Sequence, residues 1–171
     1  MKIGKELAKQ AQQFNICQEW HDELKTLEDK RAMVQMYLKG IDFCLANDYP
    51  SNDYIRRNFG DVMNELGVFL DNHIDLLNPE KCVALGATKG RLEINGYGVS
   101  EIFVKHDSEL TIVAKYNAFV MVDVFDNTVL HIEAYNHAKV CVNRYGNAKI
   151  HQTCGDATAV VKIIEKHKKT Y

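Results

Sequence analysis

Residues 107–146 read DSELTIVAKY NAFVMVDVFD NTVLHIEAYN HAKVCVNRYG, four successive units of ten residues that share one pattern. The beat extends upstream through ATKGRLEING and YGVSEIFVKH (87–106). Downstream it fades through NAKIHQTCGD and ATAVVKIIEK (147–166). A short fixed period with β-branched residues in alternate columns is the signature of a β-solenoid, whose stacked coils bury each other's apolar face.

The columns carry the argument. The sixth position holds Leu92, Ile102, Ile112, Val122, Ile132 and Val142, and the fourth holds Leu110, Val120, Leu130, Val140 and Ile150. The eighth holds Ile94, Val104, Ala114, Val124 and Ala134, while the second is small: Gly98, Ser108, Ala118, Thr128, Ala138, Ala148. Side chains two apart share one face of a strand, so these columns form a single inward stripe. Positions nine, ten and one, such as Phe125-Asp126-Asn127 and Tyr145-Gly146-Asn147, supply corners from residues that tolerate left-handed backbone.

Two stacking schemes fit the period. Two units can make one flattened coil of about twenty residues with paired parallel sheets, or each unit can be one strand of an antiparallel β-meander. The shared corner composition and the small residues at both strand ends favour the solenoid. The array also has atypical ends, as capping repeats do. Gly90 and Ser100 take the fourth column of the first two units, and Gln152 and Lys162 the sixth column of the last two. The closing EKHKKTY places charge where an open sheet edge would otherwise recruit another chain.

Ahead of the array the periodicity is helical. Leu7, Ala11 and Phe14 recur at helical spacing, as do Trp20, Leu24 and Leu27. Residues 29–45 place Met33, Tyr37, Ile41 and Cys44 on one face. Ser51 is placed to cap a helix through Phe59, and Asn78-Pro79 is expected to close the helical part. The expected fold is therefore α+β. A small helical bundle over residues 1–80 caps the first coil of a β-solenoid over residues 81–171.

Composition bounds the function. No apolar run approaches the roughly 20 residues of a membrane span, and MKIGKELAKQAQQF lacks the apolar core of a signal peptide. Five cysteines without CxxC spacing read as reduced thiols, hence a cytoplasmic protein. Residues 1–80 carry a net charge of −5 and residues 81–171 one of +3, giving the −2 of the chain. Arg56-Arg57 is the only basic pair in the acidic part, which argues against nucleic-acid binding. GATKG at 86–90 lacks phosphate-loop spacing, and there is no GxSxG or HExxH. No cofactor is implied.

The outward faces of the array hold the candidates. In two-unit coils, residues twenty apart form ladders. One ladder is Thr111, His131, His151, and the opposite sheet carries Glu101, Met121, Cys141 beside Phe103, Asp123, Asn143. His131 and His151, with Glu133 near, are the candidate metal ligands, although a site needs three or four donors. Cys141 would lie on the other sheet from both histidines, which disfavours a thiol–imidazole dyad. Phe119, Met121, Asp123 and Phe125 form the candidate partner-binding cluster, because exposed apolar patches mark protein or ligand contacts.

The segments GIDFCLANDYPSNDYIRRNFG (40–60), NAFVMVDVFDN (117–127) and AKVCVNRYGNA (138–148) resemble uncharacterised proteins of gut Bacteroidetes. Some of those are associated with mobile or phage-derived DNA, and the resemblance brings no catalytic residues. In broad style the array is also similar to bactofilins, polymer-forming β-solenoid proteins, but it departs from them in its helical N-terminus and its charged last unit. The expectation is a non-enzymatic binding or assembly module with a protein partner or self-association. The rivals are a small metal- or carbohydrate-binding protein or enzyme using His131, Glu133 and His151, and a bactofilin-like self-assembling structural protein.

Overall fold

The computed structural model describes residues 2–171, which divide into two compact units, one running to Leu66 and one from Gly67 to Thr170. The first is helical: α1 (Ile3–Ala11) with a short 3-10 turn, α2 (Gln18–Thr26), α3 (Lys30–Lys39), α4 (Ile41–Ala46), α5 (Asn52–Asn58) and α6 (Val62–Glu65). Its core is Leu7, Leu24, Met33, Val34, Ile41, Leu45, Ile55, Phe59 and Met63, all buried. Local chemistry sets the helix ends. Asp29 accepts the Ala32 N–H at 2.9 Å, and Ser51 accepts that of Tyr54 at 3.3 Å, each satisfying a donor the helix leaves free. The helical stretch after Asp29 is two helices, joined at Gly40. A Cβ there would come within 2.7 Å of the Trp20 ring, so the close approach of the indole requires glycine.

The second unit is a parallel β-solenoid. Its strands are β1 (Val68–Leu70), β2 (His73–Leu77), β3 (Lys81–Leu85), β4 (Lys89–Ile94), β5 (Val99–Val104), β6 (Glu109–Ala114), β7 (Phe119–Val124), β8 (Val129–Ala134), β9 (Lys139–Arg144), β10 (Lys149–Cys154) and β11 (Val160–Glu165). Odd and even strands separate into two sheets, ordered β1-β3-β5-β7-β9-β11 and β10-β8-β6-β4-β2. Every pair is parallel, so the antiparallel meander is excluded. From β3 through β10 the register is twenty residues: Glu109 opposite Val129 opposite Lys149, and Val99 opposite Phe119 opposite Lys139. Each coil thus spends two ten-residue units, one on each sheet.

The inward stripe is the one the columns specify. Leu92, Ile102, Leu110, Ile112, Val120, Val122, Leu130 and Val142 are at 0% exposure and form one continuous core with Ala118, Ala138 and Ala148. Placing branched side chains directly above one another keeps each coil in contact with the next, which is how a stack with no lateral core holds together. The small second column has a further job at one corner. Thr88 and Thr128 donate their hydroxyls to the carbonyls of Leu85 and Phe125, both at 2.8 Å, and Ser108 donates to Gly86 at 3.1 Å. Buried turn carbonyls are thereby satisfied without water.

Each corner turns through one left-handed residue in the tenth column: Gly86, Gly96, His106, Tyr116, Asp126, Asn136 and Gly146, with φ between 55° and 64°. A side chain in that conformation is unfavourable by itself. Neighbouring coils compensate, because the side chain of one corner accepts the backbone N–H of the corner before it. Asp126 accepts from His106 at 3.1 Å, Asn136 from Tyr116 at 3.2 Å, and the His106 Nδ1 from Gly86 at 3.0 Å.

Both ends of the array differ from the sequence reading. The first strand begins at Val68, ahead of residue 81, and Asn78-Pro79 lies between β2 and β3 instead of closing the helices. Here Val68 pairs with Val83 and His73 with Lys89, offsets of fifteen and sixteen residues, so the first coil is shorter and leaves no ten-residue beat. At the other end Val160 pairs with Lys139, an offset of twenty-one. The one-residue slip comes from the bend at residues 155–158 and turns Ala159, Val161 and Ile163 inward against the core. Lys162 therefore does not occupy an inward column. It lies opposite Cys141 on the outer face and is exposed.

Candidate functional site

The sheet of even-numbered strands carries the histidine ladder. Thr111, His131 and His151 are register neighbours, and the rings of His131 and His151 stack with centroids 5.1 Å apart at 17°. Ring-nitrogen lone pairs lie in the ring plane, so stacked parallel rings direct them side by side and not toward a common ion. Glu133 is engaged elsewhere, accepting the Tyr135 hydroxyl at 3.1 Å and raising that phenol's pKa through this hydrogen bond. The carboxylate that does meet His131 is Glu109, whose Oε1 stands 3.1 Å from Nε2. It is two columns and one coil away, a diagonal contact of the kind a flat ladder reading overlooks. No group of three or more His, Cys, Asp or Glu side chains able to hold a metal occurs among the described residues.

The other sheet carries the apolar face. Phe119 and Met121 are 40% and 41% exposed, and Val99, one coil before Phe119 in register, is 60% exposed. Tyr97 and Tyr116, at the corners from which β5 and β7 start, are exposed as well. Alternation along a strand places Val99, Phe119 and Met121 on one side of the sheet. Asp123 shares that side, and its Oδ1 accepts the Asn143 amide at 2.7 Å. Phe125 does not belong to this cluster. It is fully buried at the corner, stacked on Tyr145 at 4.7 Å and 15°, with Lys105 Nζ 5.4 Å above its ring. The ninth column sits where the chain bends inward, so an odd position that would point out in a straight strand is packed at the corner instead. The exposed set is thus Tyr97, Val99, Tyr116, Phe119 and Met121, of which sequence reasoning found only Phe119 and Met121.

Cys141 lies beside Met121 on β9, in the opposite sheet from His131 and His151. The thiol consequently has neither imidazole as a base. The five cysteines are all free thiols; burial pushes Cys44 and Cys82 up to about 12, which makes them inert at neutral pH. No helix among the described residues is long and apolar enough to cross a membrane. Comparison with protein-family models, with curated proteins and with solved structures finds no match to this chain.

Proposed function

We propose that this chain is a non-enzymatic protein-binding module of a reducing compartment, presenting the Val99–Phe119–Met121 face of its solenoid to a protein partner. The observation that carries the reading is the exposure of contiguous large apolar side chains on a β-sheet whose other side is a fully buried core. A soluble surface rarely leaves such residues together without an interaction to make. The rigid backbone suits binding, because little conformational entropy is lost when the face is covered. The resemblance noted above makes a phage or mobile-element accessory protein the setting we propose for it. The metal or enzymatic reading is less well supported, since His131, Glu133 and His151 do not converge on a common point.

The test is affinity capture with the native chain and with Met121→Glu, alongside a photo-crosslinking side chain placed at position 121. A stoichiometric partner, crosslinked at 121 and lost with Met121→Glu while circular dichroism stays native, supports the proposal. Capture that is indifferent to Met121→Glu, with no crosslink at 121, removes this face from the account.

A further inference from the structure

The last coil ends in two sheet edges. In β10 the Lys149 N–H donates to Thr128 O at 2.9 Å, and just beyond it the Gly155 N–H donates to Ala134 O at 2.8 Å. Odd positions therefore bond back to β8. By the alternation of a parallel ladder, Ile150 and Gln152 turn their N–H and C=O groups toward the open end. Among the described residues no strand follows β10 in its sheet. Between this edge and β11 lies a groove floored by Ile150 and Ile163 and rimmed by Arg144, Lys149, His151 and Glu165. Both floor residues pack on the core yet stay partly open.

Charge selects what can sit there. Residues 149–170 contain five lysines against two carboxylates, Asp156 and Glu165. Glu165 is paired with Arg144 at 2.9 Å, and Asp156 is tied to the Asn136 N–H at 2.6 Å. A second copy meeting end to end would bring the two lysine sets together, which is how natural edges resist self-pairing. An acidic strand meets no such repulsion.

We propose that the open end takes an acidic, extended segment of a partner protein as a further strand along β10, a surface independent of the Phe119–Met121 face. Period-two alternation fixes the sequence this segment needs. Apolar residues would rest on Ile150 and Ile163, and alternate carboxylates would stand beside Lys149 and His151 on the outer side. Backbone hydrogen bonds to Ile150 and Gln152 would supply affinity and the side chains would supply selection, as in other strand additions.

The experiment uses the full chain and a fluorescent short peptide of alternating glutamate and valine, read by anisotropy. Saturable binding is expected, weakened roughly tenfold or more by Lys149→Glu, because reversing a rim charge turns attraction into repulsion. The same peptide N-methylated at both its valine and its glutamate amides, which cannot join a ladder in either strand direction, should also bind at least roughly tenfold more weakly. Lys149 is exposed, so its substitution leaves the fold intact, and the peptide modification leaves the protein untouched. No saturable binding overturns the proposal. Equal binding of the N-methylated peptide also overturns it, since that is adsorption to positive charge alone. So does concentration-dependent dimerisation in sedimentation that the peptide competes away, because a second copy is then the occupant.

Discussion

Ile112→Ala tests whether stacked coils, and nothing else, hold the solenoid together. Ile112 is fully buried on β6, with Leu92 before it and Ile132 after it in register. The substitution removes three carbons from a site closed on all sides. At about 0.8 kcal/mol per buried methylene the transfer loss is roughly 2.4 kcal/mol. A residual void of roughly 40 Å³ adds about 1 kcal/mol at ~24 cal/mol per Å³. The expected destabilisation is therefore about 3–4 kcal/mol. Ile163→Ala is the control. Ile163 packs on the same core but is only half-buried in the last coil, so it leaves no closed void and should cost about 1 kcal/mol. Urea denaturation followed by circular dichroism reads both. A stack of nearest neighbours also predicts a second sign: Ile112→Ala should broaden or split the transition, because it interrupts coupling mid-array. An Ile163→Ala loss equal to or larger than that of Ile112→Ala would refute the reasoning.

Three further outcomes follow from the structure. The Asn136 N–H donated to Asp156 holds that carboxyl below its ordinary 3.8, so this contact stabilises the corner at neutral pH and is lost as pH falls through the lowered value. The Asn136 amide resonance should accordingly shift with a midpoint below pH 3.8, and a midpoint above it would contradict the assignment. Gly90→Ala places a Cβ against the Ile74 carbonyl at φ +152, and should cost about 2 kcal/mol or more in thermal or urea unfolding. Iodoacetamide at mildly alkaline pH should modify the exposed Cys17 and Cys154 first, and reach the buried Cys44 and Cys82 only on unfolding; mass spectrometry of the labelled peptides checks the order.

The regular part of the fold was legible because its physics is repetitive. Ile112, Val122 and Ile132 recur in one column since each must contact the coil before and the coil after, and that demand is written at every tenth residue. Where the demand lapses, the sequence misleads. Val68 and His73 belong to a shortened coil with offsets of fifteen and sixteen, so nothing in the beat marks β1 and β2 as strands. One extra residue near Gly155 shifts the frame, which is why Lys162 sits in an apolar column on paper and on the outer face in space. Phe125 shows the same limit at a corner, where alternation stops deciding which way a side chain points. Of the candidate face, Phe119 and Met121 were readable from strand alternation. Tyr97 and Tyr116 were not, because they sit on turns where no period operates. The helices were readable in placement but not in number: the periodicity over 29–45 runs through Gly40, where the chain breaks into two helices, and it gives no sign of α6.

The central claim is the parallel register of twenty residues, and backbone nuclear Overhauser contacts in isotope-labelled protein test it most directly. Phe119 should show cross-strand contacts to Val99 and Lys139, and Val129 should show them to Glu109 and Lys149. Contacts running antiparallel between consecutive units, Phe119–Val124 against Val129–Ala134, would contradict the solenoid and every face assigned from it.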